Sequence, residues 1–118
     1  MGEFSVVWIS QLDRWVMLYN SSDPRGIVMR TAKLPWGHWS EPVIIFDPWI
    51  DMGYAQFMHI SWDFEQMDTF HDYAREYDWG GEYGPYIITR FTQGTPERCT
   101  IFYTLSTWNP YQVVLMSS

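Results

Sequence analysis

The first half of the chain is a succession of short apolar and aromatic runs, each ended by residues that favour turns. Residues 14–20 alternate Trp15, Met17 and Tyr19 with their neighbours, a period typical of β-strands. Pro24 and Gly26 favour a tight turn after this run. Because the runs are short and closely connected, the sequence predicts an antiparallel four-stranded meander. Its strands are expected at 4–9, 14–20, 27–33 and 43–46.

The second half begins with a long acidic segment. Residues 47–82 hold nine of the fourteen acidic side chains and one basic side chain, so their net charge is −8 against +1 for the rest. A mixed segment of this length inside a small β-domain favours a functional loop over a plain connection. Within it the pattern predicts a short strand over 57–62 and a helix over 64–77. Three further strands are predicted at 84–91, 99–106 and 111–118.

The length of 118 residues predicts a single domain. Its expected fold class is all-β, built from antiparallel four-stranded meanders, and one such meander is the size of a β-propeller blade. We interpret the chain as a partial propeller with a first blade at 1–46, an acidic loop excursion at 47–84 and an incomplete last blade at 85–118. Because so few blades do not close a ring, we expect further blades or self-association to cover the open flanks.

Composition narrows the classes of function. The net charge of −7 disfavours a nucleic-acid partner, since phosphate backbones attract basic surfaces. Cys99 is the single cysteine, which excludes an intramolecular disulfide and a multi-cysteine zinc site. Metal-ligand histidine spacings and nucleotide-binding glycine motifs are missing, so we predict neither metal nor cofactor. No apolar run predicts a membrane span and no signal peptide is apparent, so the localisation is undetermined.

Several aromatic-rich segments carry a resemblance to a known family: RWVMLYN with PRGIVMRTA, PWGHWSEPVIIFDPW, GYAQFMHISWD, WGGEYGPYII and TIFYTLSTWNPYQVVLM. From Gly2 to Met116 the chain resembles the C-terminal part of domain-of-unknown-function family 4185. That family is similar to the five-bladed propeller glycosidases and includes endo-D-arabinanases of glycoside hydrolase family 183. The resemblance implies about one and three-quarter blades of a five-bladed propeller, with the earlier blades missing before Gly2. GYA at 53–55 departs from the family pattern, which tends to a second glycine there.

Five residues are candidates for contact with a carbohydrate. His59, Trp79, Glu82 and Tyr83 lie where the predicted loop meets an inner strand, and sugar sites combine aromatic faces with a few polar groups. Arg90 follows on the same predicted strand and is expected to pair with a carboxylate, either structurally or at a ligand. The alternative is that Trp79 and Tyr83 pack at the base of the loop and that His59 hydrogen-bonds a backbone carbonyl.

No catalytic residue is assigned, because glycoside hydrolysis needs two converging carboxyl groups and the sequence does not show which acids converge. The resemblance implies that the principal catalytic acids lie on the missing early blades. We therefore interpret the chain as the C-terminal fragment of a glycoside hydrolase-like propeller that contributes part of a carbohydrate-binding funnel and is inactive alone. Two alternatives stay open: a non-catalytic glycan-binding module that completes its ring by oligomerisation, and a truncated product without activity.

Overall fold

The computed structural model describes residues 2–54, 56–60, 74 and 78–118. Within these residues the chain forms nine β-strands in antiparallel sheets, as the sequence predicts for an all-β protein. The strands are β1 (Phe4–Ile9), β2 (Arg14–Ser22), β3 (Arg25–Ala32), β4 (Val43–Phe46), β5 (Gly81–Ile87), β6 (Gln93–Thr95), β7 (Arg98–Thr100), β8 (Phe102–Trp108) and β9 (Gln112–Ser117).

The first sheet is a meander in the order β1-β2-β3-β4, which confirms the four strands predicted for the first half. Alternation along β2 explains its orientation, since Val16 and Leu18 are buried in the core while Met17 lies on the other face. A register shift between Ile27 and Val28 interrupts the pairing of β3 with the short β4.

The second sheet has the order β5-β8-β9, and β6 and β7 form a separate hairpin. The predicted strand over 84–91 is displaced, because β5 begins at Gly81 and residues Thr89–Phe91 form one turn of 3-10 helix. The predicted strand over 99–106 is divided at Ile101. Backbone bonds tie Ile101 to Ser118, whereas β7 turns back to pair with β6.

The short strand predicted over 57–62 is wrong for residues 57–60, and its last two residues lie outside the described part of the chain. Met58 makes an isolated bridge with Tyr54 instead of joining a ladder. The backbone amide of His59 donates to Asn109 O, and the amide of Gly80 donates to His59 O, so these residues link two separate segments. The helix predicted over 64–77 lies outside the described residues except for Ala74.

The two main sheets pack against each other around one hydrophobic core. Leu18 and Ile27 from the first sheet meet Ile87, Tyr103 and Leu105 from the second in that core. This arrangement of antiparallel sheets fits a partial propeller-like fold. The opposite side of β5, β8 and β9, which we call the outward face, carries exposed apolar side chains, including Tyr86, Val113 and Leu115. Among the described residues, no helix has the length and apolarity needed to cross a membrane.

Candidate functional site

A folded loop follows β4 and presents two aromatic side chains beside β5. Asp47 Oδ1 accepts hydrogen bonds from the backbone amides of Trp49, at 2.8 Å, and Ile50, at 3.2 Å. Asp51 Oδ2 accepts in turn from the amide of Asp47 at 2.7 Å. The amide of Tyr54 donates to Pro48 O at 3.0 Å. These local bonds fix the backbone from which Trp49 and Tyr54 project.

Trp49, Tyr54 and Trp79 form an aromatic cluster. The ring centroids of Trp49 and Tyr54 are 4.6 Å apart, and the Trp79 centroid lies 5.3 Å from Trp49 and 5.6 Å from Tyr54. Tyr54 is buried, whereas Trp49 is 52% and Trp79 46% exposed. The two contacts of Trp79 are edge-to-face and that of Trp49 with Tyr54 is tilted, and these contacts stabilise the rings while parts of both indoles remain open to a ligand.

Backbone bonds to two other segments hold Trp79 in place. The amide of Gly80 donates to His59 O at 2.7 Å, and the amide of His59 donates to Asn109 O at 3.1 Å. The side-chain amide of Asn109 also donates to Asp78 O. A Cβ at Gly80 would lie 2.6 Å from Asn109 O and 2.8 Å from His59 N, so only glycine allows this close approach.

An ion pair lies beside the aromatic cluster. Arg25 Nη2 is 3.2 Å from Glu82 Oε2, and the Arg25 guanidinium carbon is 5.9 Å from the centre of the Tyr54 ring. Glu82 projects from β5 toward the first sheet and its side chain is 3% exposed, whereas that of Arg25 is 44% exposed. The pair therefore joins the start of β3 to β5, with the carboxylate enclosed and the guanidinium partly accessible.

Burial controls the protonation of two groups in this region. Desolvation raises the pKa of Glu82 above its ordinary value, although the hydrogen bonds of its carboxylate and the charge of Arg25 oppose the shift. Desolvation likewise raises the pKa of Tyr54, while Arg25 opposes this shift and the charges of Glu82 and Asp47 add to it. The Glu82 carboxyl thus binds its proton more tightly than an exposed glutamate does.

The structure brings together only part of the predicted set. Trp79 lies in the aromatic cluster and Glu82 in the ion pair, and fully buried His59 bonds through its backbone to Gly80, the neighbour of Trp79. Tyr83 follows Glu82 on β5 and so lies on the outward face, in register with Ser106. Arg90 lies in the 3-10 turn, where its guanidinium carbon is 4.9 Å from the centre of the Phe91 ring.

Three residues of the site, Arg25, Trp49 and Tyr54, were not among the candidates from the sequence. Two of them follow an Asp-Pro pair directly, as Asp23-Pro24 precedes Arg25 and Asp47-Pro48 precedes Trp49. Such pairs mark turns, and the residue after a fixed turn is well placed to project a side chain. This shared pattern is the signal that identifies them. Tyr54 has no comparable signal beyond its neighbour Gly53.

The chemistry of the site is that of a polar and aromatic recognition surface. Within the described residues there is no group of three or more His, Cys, Asp or Glu side chains suited to a metal ion. An open cleft of about 400 Å³, lined by Tyr86 and Arg90 among others, lies on the outward face, away from the aromatic cluster. The two exposed indoles and the Arg25 guanidinium offer apolar faces and hydrogen-bond donors to a ligand.

Comparison with known proteins gives one result. No curated protein and no solved structure matches the chain. One family model matches residues 1–117, almost the whole length, and its description is a domain of unknown function. With its aromatic-rich strands and turns, the chain belongs to that family, DUF4185.

Proposed function

We propose that this protein binds carbohydrate at the aromatic cluster. The observation that carries the proposal is the pair of half-exposed indoles, Trp49 and Trp79, which contact each other and buried Tyr54 next to the Arg25–Glu82 pair. Sugar rings present apolar C–H faces, which pack on indoles, and hydroxyl groups, which accept hydrogen bonds from a guanidinium. The resemblance to arabinan-type glycoside hydrolases supports the same class of ligand.

The local charges favour a neutral glycan. Arg25 is already paired with Glu82 at 3.2 Å, and Asp47 lies near enough to raise the pKa of Glu82. An anionic sugar would therefore meet two carboxylates for one compensated cation. A neutral pentose or hexose chain has no such repulsion, and its hydroxyl groups still bind the exposed edge of Arg25.

Binding without hydrolysis is the activity we propose for this chain. Glycoside hydrolysis uses two carboxyl groups that flank the scissile bond and touch the substrate or its attacking water. The raised pKa of Glu82 suits a general acid, but its side chain is enclosed and held by Arg25. In a larger hydrolase-like propeller, this site would contribute part of the sugar-binding funnel, with the catalytic acids on other blades.

Calorimetric titration of the purified chain with neutral arabino-oligosaccharides tests this proposal. We expect Trp79→Ala and Trp49→Ala each to weaken binding about tenfold, because each removes a stacking face. Trp36→Ala is the matched control, since Trp36 is 79% exposed and has no described contact with the cluster. Unaltered affinity in both cluster variants, or no binding of any neutral oligosaccharide, would refute the proposal. Release of free sugar in the same samples would refute the proposal that this chain binds without hydrolysis.

A second proposal is that two copies of the chain associate through the outward face. None of the side chains of β5, β8 and β9 that point outward carries a charge. Tyr86, Thr104 and Leu115 form one row across this face, and Tyr83, Ser106 and Val113 form the next. In a protein with a net charge of −7, a sheet face without carboxylates lets two copies approach without repulsion, and the charge at its border, Arg90 in the cleft beside Tyr86, is basic.

Light scattering across a concentration series tests the association. We expect a discrete dimer that dissociates on dilution, and we expect Leu115→Glu to make the protein monomeric at every concentration. Thr95→Glu, on the exposed β6, adds the same charge outside the face and should leave the dimer intact. A monomeric wild-type protein, or equal effects of the two variants, would contradict this proposal.

A further inference from the structure

A second cleft lies at the end of the first sheet and shares no lining residue with the aromatic cluster or its ion pair. It has a volume of about 420 Å³ and is lined by Arg14 at the start of β2, Thr31 near the end of β3, and Lys33, His38 and Ser40 in the connection to β4. We call it the basic cleft. No Asp or Glu of the described residues lines it.

Hydrogen bonds fold the β3–β4 connection back onto the sheet and so give the basic cleft its shape. The amide of Ser40 donates to Thr31 O at 2.8 Å, and the amide of Thr31 donates to Ser40 Oγ at 3.0 Å. At the other end of the connection, the amide of Gly37 donates to Leu34 O at 3.3 Å. These bonds fix the backbone that carries Lys33 and His38, and the cleft walls are therefore preformed.

The charges in the basic cleft are largely uncompensated. Within the part of the chain that the structure describes, neither Lys33 nor His38 has a hydrogen-bond or ion-pair partner. Arg14 Nη1 donates to Asp13 O at 2.7 Å and lies 3.9 Å from Asp13 Oδ2. That carboxylate is 82% exposed, so solvent screens it and it neutralises Arg14 only weakly.

We propose that the basic cleft binds an oxyanion group, either a phosphate or a carboxylate, carried by a small ligand. Lys33 and Arg14 supply the charge, and a guanidinium matches the geometry of both groups. His38 lines the same space and supplies a further polar contact, whereas the Ser40 hydroxyl already donates to Glu41 O at 3.0 Å and shapes the wall of the cleft. Leu34 and Ala32 add an apolar wall for the body of the ligand. This site shares no residue with the proposed carbohydrate site, and it favours anionic ligands whereas the carbohydrate site favours neutral ones.

Amide chemical shifts measured by NMR test the oxyanion site with three probes: inorganic phosphate, glucuronate and neutral glucose. We expect phosphate or glucuronate to shift the amides of Lys33, Gly37 and Ser40 in a saturable manner, and glucose to leave them unchanged. Saturation by phosphate alone identifies phosphate esters as ligands, and saturation by glucuronate alone identifies carboxylates. Because the charges are exposed, the affinity should fall as sodium chloride is raised.

Lys33→Gln is the informative variant, since Lys33 is exposed and its replacement leaves every described hydrogen bond in place. We expect the dissociation constant for the bound anion to rise about fivefold, as expected for loss of one charge-assisted contact. Arg98→Gln is the matched control, because Arg98 is an exposed arginine on β7 outside the cleft. The proposal is overturned if neither anion binds, if glucose gives the same shifts, or if both variants bind equally.

Discussion

The aromatic cluster with its ion pair and the basic cleft both contain an arginine, but the two arginines have different surroundings. Arg25 is paired with a carboxylate that is 3% exposed, and it lies beside a buried tyrosine. Among the described residues, the ion-pair partner of Arg14 is one exposed aspartate, and Arg14 shares its cleft with a lysine that has no ion pair there. A cation that is compensated inside the protein positions its neighbours, whereas an uncompensated cation at an open cleft is available to a ligand.

The backbone is packed more tightly around Trp79 than in the basic cleft, and this difference predicts the largest change in the free energy of unfolding. We expect Gly80→Ala to lower the free energy of unfolding by about 3 kcal/mol, because the new Cβ would overlap the backbone that holds Trp79. The nearest atoms would lie only 2.6 Å and 2.8 Å away. Urea denaturation followed by tryptophan fluorescence measures this loss.

Gly37→Ala is the matched substitution in the basic cleft, where a Cβ would meet no atom within 4 Å. Its cost comes from the backbone conformation, with φ of 150°, and we expect about 1 kcal/mol. Equal losses in the two variants would show that the region around Trp79 is no more tightly packed than the basic cleft.

Replacing each arginine in turn compares how much the two ion pairs contribute to stability. We expect Arg25→Gln to lower the free energy of unfolding at neutral pH by about 2 kcal/mol, since it leaves the ionised Glu82 enclosed without its partner. The value is below that of a fully buried pair because the Arg25 side chain is 44% exposed. The loss should shrink in acid, where Glu82 becomes protonated.

Arg14→Gln is the control for this prediction, and its expected effect is about 0.5 kcal/mol or less because its ion pair is exposed. Denaturation curves of both variants at neutral and acidic pH give the comparison. Similar losses for both arginines, or a loss for Arg25→Gln that is constant with pH, would be inconsistent with the enclosed pair.

Local patterns in the sequence were sufficient for most of the fold. Alternation and turn residues identified the four strands of the first sheet and the final strand, because those strands have one buried face and tight connections. The sequence did not predict that β5 begins at Gly81. The first residue of this strand and the two residues before it, Trp79 and Gly80, have the composition of a loop. Gly81 joins the strand through its pairing with Trp108 of β8, and Gly80 is held by its backbone bond to His59.

The candidate site was predicted only in part for a related reason. Trp79 and Glu82 were identified, but Arg25 lies 57 residues before Glu82 and its pairing depends on how the two sheets pack. The position of Tyr83 on the outward face was not visible in the sequence, because the sequence did not reveal where β5 begins. Once the bounds of a strand are known, the alternation of its side chains assigns neighbouring residues to opposite faces of the sheet. Contacts between distant segments therefore require the tertiary structure, whereas each contributing turn is visible in the sequence.

The smallest predicted effect concerns the sign of the pH dependence at Glu82. Because burial raises the pKa of Glu82 in the folded state, the folded protein binds this proton more tightly than the unfolded chain. The contribution of Glu82 to stability is therefore fully present below the unfolded pKa, near 4.5, and is lost as the pH rises through the folded pKa. We expect Glu82→Gln to remove this decline and to be at least as stable as the wild type at neutral pH.

Glu97 provides a control of opposite sign. Its pKa is lowered, chiefly by a hydrogen bond from the Thr95 side chain, so its contribution is present above the unfolded pKa and is lost as the pH falls through the folded value. Thermal unfolding of Glu82→Gln and Glu97→Gln across the acidic range should give slopes that differ from wild type in opposite directions. If the Glu82→Gln variant were less stable than the wild type at neutral pH, the attraction between Glu82 and Arg25 would outweigh the cost of burying the carboxylate. The ion pair beside the aromatic cluster would then stabilise the fold.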